Sequence, residues 1–466
     1  MISKILFWSL VLQIPPGAVP GQEAGTVLSP QQEMVLDSAR IEMAQGRDWV
    51  AVRQLRAGFP RGPGGNEELI LLFARAEAGW SNWPEVVGLL EGPLTEGEVN
   101  RPQAWLLLGR ALVAQERWED AEEAFGQALD VELGREFEGS LIARALRARS
   151  RGRLGMYPEA LSDIAEIGSA DSILAGWVAL EMAERTAAAG YREETRRLLS
   201  TVASDAVRKL GWNLLPLSLL VSGDSTGAEA AFWSALPSLS SGLDQAAAWD
   251  RIGSLRLARG DSVGARGAFH QVLALHAPGS PGLHAARSLL ELGFDSVGVA
   301  LAGARTLAGA GRHQDALETY DVYTSLLDGS PPPSVLLAQT RSHLNLGQGG
   351  AALALANQVG ESDDPEIGAP ALALRVQALR QLGRGAEVPG VQDELMGRFP
   401  ERPEAVEILF FRADALQTRG DREGAIRGYR ETADLAPSQS LAGQARMRMG
   451  QLLLGMGREE AALDVY

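Results

Sequence analysis

Residues 249–269 read WDRIGSLRLARGDSVGARGAF. Trp249, Ile252 and Gly253 fall on one face of a helix at 3.6 residues per turn. Gly260 then stops that helix, Asp261 or Ser262 can cap a second one, and Ala265 and Phe269 sit four apart along it. The order of helix, Gly-centred turn and helix recurs. Trp105–Gly109 and Leu112 lead to Ala121 and Phe125, Gly223 to Ala228 and Phe232, and Gly311 to Ala316 and Tyr320. Gly420 leads to Ala425, Tyr429 and Pro437, and Met449-Gly450 to Gly457, Ala462 and Tyr466. The turns are expected at Gly46, Gly79, near Glu116, then Gly155, Gly190, Gly223, Gly260, Gly311, Gly347, Gly383, Gly420 and Gly457, mostly 33 to 39 residues apart.

Each recurring residue has a packing task. Small Gly or Ala lets paired helices approach, and the aromatic residues fill the space between hairpins. A single hairpin cannot bury its apolar face, so hairpins must stack. Ala, Leu, Glu, Arg and Gln favour helix, and period-two alternation is scarce. An all-α array therefore replaces the three domains that length alone, at ~150 residues each, would allow.

The marker residues resemble the tetratricopeptide (TPR) repeat over roughly residues 30–466. The likeness is strong at 103–133, 223–275, 300–325 and 405–466, and weak at 30–100 and 330–400. The resemblance implies a right-handed superhelix whose groove, lined by first helices, holds a protein or peptide. It places Leu106 and Arg110, Asp250 and Ser254, Phe410 and Asp414, and Met447 and Gln451 in that groove. The Lys/Asn clamp of chaperone-binding members is absent from these positions, so capture of a C-terminal carboxylate is not implied.

Composition narrows the function classes. The chain has 43 basic and 59 acidic residues, a formal net charge of −16, and no cysteine. That balance argues against nucleic acid or an anionic membrane as partner. Without cysteine there is no disulfide, thiolate nucleophile or Cys-ligated metal. The five histidines, His270, His276, His284, His313 and His343, include no pair three or four apart, so neither a metal nor a cofactor is expected.

Lys4 precedes the apolar run Ile5–Ile14, which is too short to span a bilayer and is followed by Pro15-Pro16-Gly17. We expect residues 1–21 to be a signal peptide cut after Gly21, and the product to be exported, periplasmic or associated with an outer membrane. Repeats are then expected over 22–278 and 300–466, separated by an irregular joint at 279–299. The interval from Gly260 to Gly311 is too long for one unit, Pro278–Gly282 breaks it, and His284–Leu292 reads as an extra short helix. No transmembrane span is expected elsewhere.

Catalytic look-alikes fail on context. Gly223–Gly227 and Gly260–Gly264 both match G-x-S-x-G, but a helix precedes each serine where a nucleophile elbow needs a strand. Arg-Gly-Asp at 259–261 and 419–421 falls at the same turns. Glu361-Ser362 has none of the downstream context of a lytic transglycosylase. The leading expectation is an exported interaction scaffold of a bacterial envelope. The alternative is the superhelical part of a periplasmic soluble lytic transglycosylase, which residues 408–466 resemble. In that case the final unit, halting at Tyr466, would continue into further helices and a peptidoglycan-cleaving domain. No catalytic site is expected within residues 1–466.

Overall fold

The structure, a computed structural model, describes residues 28–130, 139–276, 279–435, 437–438 and 440–465. The expected signal peptide and Tyr466 lie outside them. The described residues form 26 α-helices and two short 3-10 turns, with no strand. They divide into two units, Met1–Ser238 and Leu239–Tyr466.

The first unit stacks helical hairpins: α1 (Pro30–Ala44) with α2 (Asp48–Gly58), α3 (Glu67–Gly79) with α4 (Trp83–Thr95), and α5 (Pro102–Ala114) with α6 (Trp118–Asp130). Next come α7 (Ser140–Leu154) with α8 (Tyr157–Ala170), and α9 (Ser172–Ala188) with α10 (Arg192–Thr201). The short α11 (Asp205–Leu210) precedes α12 (Leu214–Val221) and α13 (Ser225–Ala235).

The second unit begins with α14 (Gly242–Ala258) and α15 (Ser262–Ala274). A single helix, α16 (Ser280–Leu292), occupies the expected joint and packs on α14, α15 and α17 (Val297–Gly309). Helix α17 pairs with α18 (His313–Leu326), α19 (Pro333–Asn345) with α20 (Gly349–Gly360), and α21 (Pro365–Gln381) with α22 (Val388–Arg398). Then α23 (Pro403–Thr418) pairs with α24 (Arg422–Leu435), and α25 (Ser440–Gly455) with α26 (Glu459–Leu463).

One rule governs all twelve hairpin turns. Each holds one residue in the left-handed region, with φ between 60° at Glu116 and 87° at Gly420. Ten are glycine, which takes that conformation without a Cβ penalty. The turn expected at Gly79 is instead made by Ser81, φ 69°, because Gly79 is still the last residue of α3. Turn residues 46, 81 and 116 are then evenly spaced.

Seven residues before each turn residue stands a buried, mostly small residue: Ala39, Ala74, Gly109, Ala148, Ala183 and Pro216 in the first unit, and Gly253, Ala304, Thr340, Val376, Ala413 and Gly450 in the second. Five residues after the turn stands a buried small or β-branched residue of the second helix, such as Ala121, Ala160 or Ala265. Residues 30–100 and 330–400, where the sequence signature is weak, obey this rule with Ala39, Ala74, Thr340 and Val376.

Two buried carboxylates tie neighbouring helices together. Asp163 on α8 is 1% exposed and lies 2.6 Å from Arg147 and 2.8 Å from Arg151, both on α7. Glu77 is fully buried and receives hydrogen bonds from Arg56, Trp80 and Asn82 at 2.6 to 2.9 Å. Removing one partner would leave an uncompensated buried charge.

At the G-x-S-x-G segments the caps are aspartates. Asp224 accepts from the Gly227 backbone N–H and Asp261 from that of Gly264, each at 2.8 Å, while Ser225 and Ser262 are merely the first helical residues.

Candidate functional face

The residue after each buried small residue lies 100° further round its helix and is not buried in any repeat. In the first unit it carries Arg40, Arg75, Arg110 and Arg149 on α1, α3, α5 and α7, then Glu184 on α9 and Leu217 on α12. In the second unit it carries Ser254, Arg305, Arg341, Gln377, Asp414 and Gln451. Second helices cover the opposite side of the first helices, so this register is what each hairpin leaves for contact.

The groove positions implied by the sequence divide when placed here. Arg110, Asp250, Ser254, Asp414, Met447 and Gln451 all reach the surface at least in part. Leu106 and Phe410 do not. Leu106 is 1% exposed within the core of the first unit. Phe410 packs on Phe411 and Tyr429, with ring centroids 5.8 and 5.5 Å away. Their neighbours crowd that side of the first helix, so the position facing solvent at 410–411 is Phe411.

Three of the remaining residues are occupied within the chain. Asp250 pairs with His284 Nδ1 of α16 at 2.5 Å, and burial raises its pKa against the pull of that imidazole. Ser254 donates to the Asp250 carbonyl at 2.8 Å. Asp414 Oδ1 and Gln417 Oε1 lie 3.0 and 2.8 Å from the Tyr429 hydroxyl. Burial, then the Asp414 hydrogen bond and its charge, push the Tyr429 pKa up to about 12.

The cleft that sequence reasoning missed is a recess of about 220 Å³ between α19 and α21. Arg341, Leu344, Asn345, Leu374, Gln377 and Gln381 line it. Gln381 Nε2 donates to the Leu344 carbonyl at 3.0 Å, joining the two helices, and Asn345 Nδ2 donates to the Arg341 carbonyl at 2.8 Å. The Gln377 amide and the Arg341 guanidinium have no side-chain partner among the described residues. Three amides, one guanidinium and two leucines suit a peptide backbone with an apolar side chain. Counting seven back from Gly347 and Gly383 and one forward again finds Arg341 and Gln377. The weak markers of that region hid the register.

No group of three metal-ligating side chains occurs among the described residues, and no described helix is long and apolar enough to cross a membrane.

No family model matches the sequence, and no curated protein matches it. Several solved structures are similar to this chain. One is Naa15/Naa10 bound to HypK-THB, at 13% identity and a TM-score of 0.30, over 93% of this chain and 67% of that one. Another is a tetratricopeptide repeat protein from Parabacteroides merdae, at 14% identity and 0.34, over 57% and 99%. A third is the APC/C hetero-tetramer Cut9-Hcn1, at 13% identity and 0.27, over 91% and 90%. The class rests on the chain's own geometry. Paired helices, a left-handed turn residue and buried small residues at fixed offsets make both units arrays of TPR-like helical hairpins.

Proposed function

We propose that the chain is a protein-interaction scaffold that holds an extended peptide of a partner against its first-helix face, and that it works outside the cytoplasm in the cell envelope. The observation that carries the first part is the α19–α21 recess, where Gln377 and Arg341 offer unspent hydrogen-bonding capacity beside Leu344 and Leu374. A peptide laid there would satisfy those groups and cover the leucines.

Selection of peptides on the purified chain tests this. Selected peptides should lose binding about tenfold or more against Gln377→Trp, which fills the recess. Equal binding to that variant would remove the recess from the proposal. The second part is supported by the apolar run Ile5–Ile14 behind Lys4. Mass spectrometry of the envelope fraction should find a new N-terminus near Gln22, and intact Met1 there would refute cleavage.

A further inference from the structure

All but two of the 43 basic residues, Lys4 and Lys209, are arginines, the side chain whose planar fork matches a carboxylate. In a chain with 59 acidic residues many of them find carboxylate partners. Arg117 reaches both Glu91 and Asp120, at 2.9 and 2.6 Å. Two arginines of the solvent-facing row of the first unit are also neutralised. Arg40 pairs with Glu68 at 2.6 Å, and Arg149 with Glu181 at 2.9 Å.

Arg75 and Arg110, between Arg40 and Arg149 in that row, meet no carboxylate within ion-pair distance among the described residues. Arg110 is half-buried, its guanidinium 5.9 Å from the centre of the Trp83 ring. Burial lowers the pKa of both, and the Arg101 guanidinium adds to the effect at Arg75. Arg110, half-buried, is the costlier of the two to leave without a carboxylate, whereas Arg75 reaches the surface.

We propose that the α3–α5 face binds an extended acidic segment of a protein partner, with one carboxylate on Arg75 and a second, three residues along, on Arg110. The proposal rests on the scaffold reading and names the partner's chemistry. Helices α3 and α5 are in direct contact, and packed helix axes lie ~8–10 Å apart. A polyproline-II segment advances ~3.1 Å per residue with three residues per turn, so residues i and i+3 share a face about 9 Å apart. One guanidinium per helix suits separate monoanions, whereas a phosphoryl dianion draws several donors to one point.

The test uses the full chain and a fluorescein-labelled peptide with Asp at every third position. Fluorescence anisotropy should show binding that weakens as salt rises, and about tenfold weaker binding of the matching Asn peptide. The double variant Arg75→Ala/Arg110→Ala, with native circular dichroism, should lose about tenfold, and Arg75→Lys/Arg110→Lys should retain more than the alanine pair. Equal binding of the Asn peptide, or unchanged binding by the alanine pair, would overturn the proposal. So would competition by single-stranded oligothymidylate as effective as that of the unlabelled Asp peptide. If selected peptides still bind in the α19–α21 recess while the two arginines prove silent, the acidic-segment proposal fails and the scaffold reading stands. If no peptide binds anywhere, both fail.

Discussion

Gly253 on α14 lies against the ring of Phe269 on α15, so close that a β-carbon there would sit 2.6 Å from the ring's Cε1. Gly109 and Phe125 repeat the relationship at 2.5 Å, in the other unit. Gly253→Leu should cost ~1–3 kcal/mol or more, because a close-packed interior cannot take up the added volume without strain. Gly267, on the open side of α15, has nothing within 4 Å of its β-carbon position. Gly267→Ala should be neutral or stabilise by up to ~1 kcal/mol through helix propensity. Urea denaturation of the two variants checks the contrast, and equal costs would contradict it.

The capping hydrogen bonds predict an order of effects at the look-alike motifs. Asp261→Ala and Asp224→Ala should each cost ~0.5–2 kcal/mol, as for other N-caps. Ser262→Ala and Ser225→Ala should be nearly silent. Neither serine should be labelled by a covalent serine-hydrolase probe, and labelling of either would reopen the catalytic reading.

Asp163 holds two arginines at once. Asp163→Ala should cost about 2–3 kcal/mol, less than the ~3–5 kcal/mol of a fully buried pair, because Arg147 and Arg151 keep 16% and 17% side-chain exposure to water. Thermal unfolding followed by circular dichroism measures it. A loss below ~0.5 kcal/mol would mean that the pairs behave as surface ones.

Tyr429 makes the second unit sensitive to alkali. Its folded pKa of about 12 exceeds the unfolded value near 10, so the folded state favours the neutral phenol. The resulting stabilisation is fully present below about pH 10 and is lost as pH rises towards 12. Tyr429→Phe should flatten the decline in unfolding midpoint over that window, whereas an unchanged slope would assign the decline to other groups.

The sequence disclosed the repeat because its markers are packing residues, and packing imposes fixed spacing. Gly253, Ala265 and Phe269 were legible since each has one task and few residue types perform it. Ser81 escaped notice because a left-handed turn is usually glycine, and Gly79 stood nearby. The face was harder to read. Leu106 and Phe410 hold positions that are buried in some repeats and reach solvent in others, as at Asp250 and Met447. Arg75, Arg341 and Gln377 lay where Ala74, Thr340 and Val376 replace the more telling glycine, and only the turn geometry restores their register.

The strongly packed helix pairs are all neighbours or near neighbours in the chain, the widest reaching from α9 to α12. Contacts this local require little loop closure before they form. They also divide the molecule into short cooperative segments, so a local opening need not melt the rest. Amide hydrogen exchange should show protection changing hairpin by hairpin, and damage at one hairpin should fade within a repeat or two along the chain.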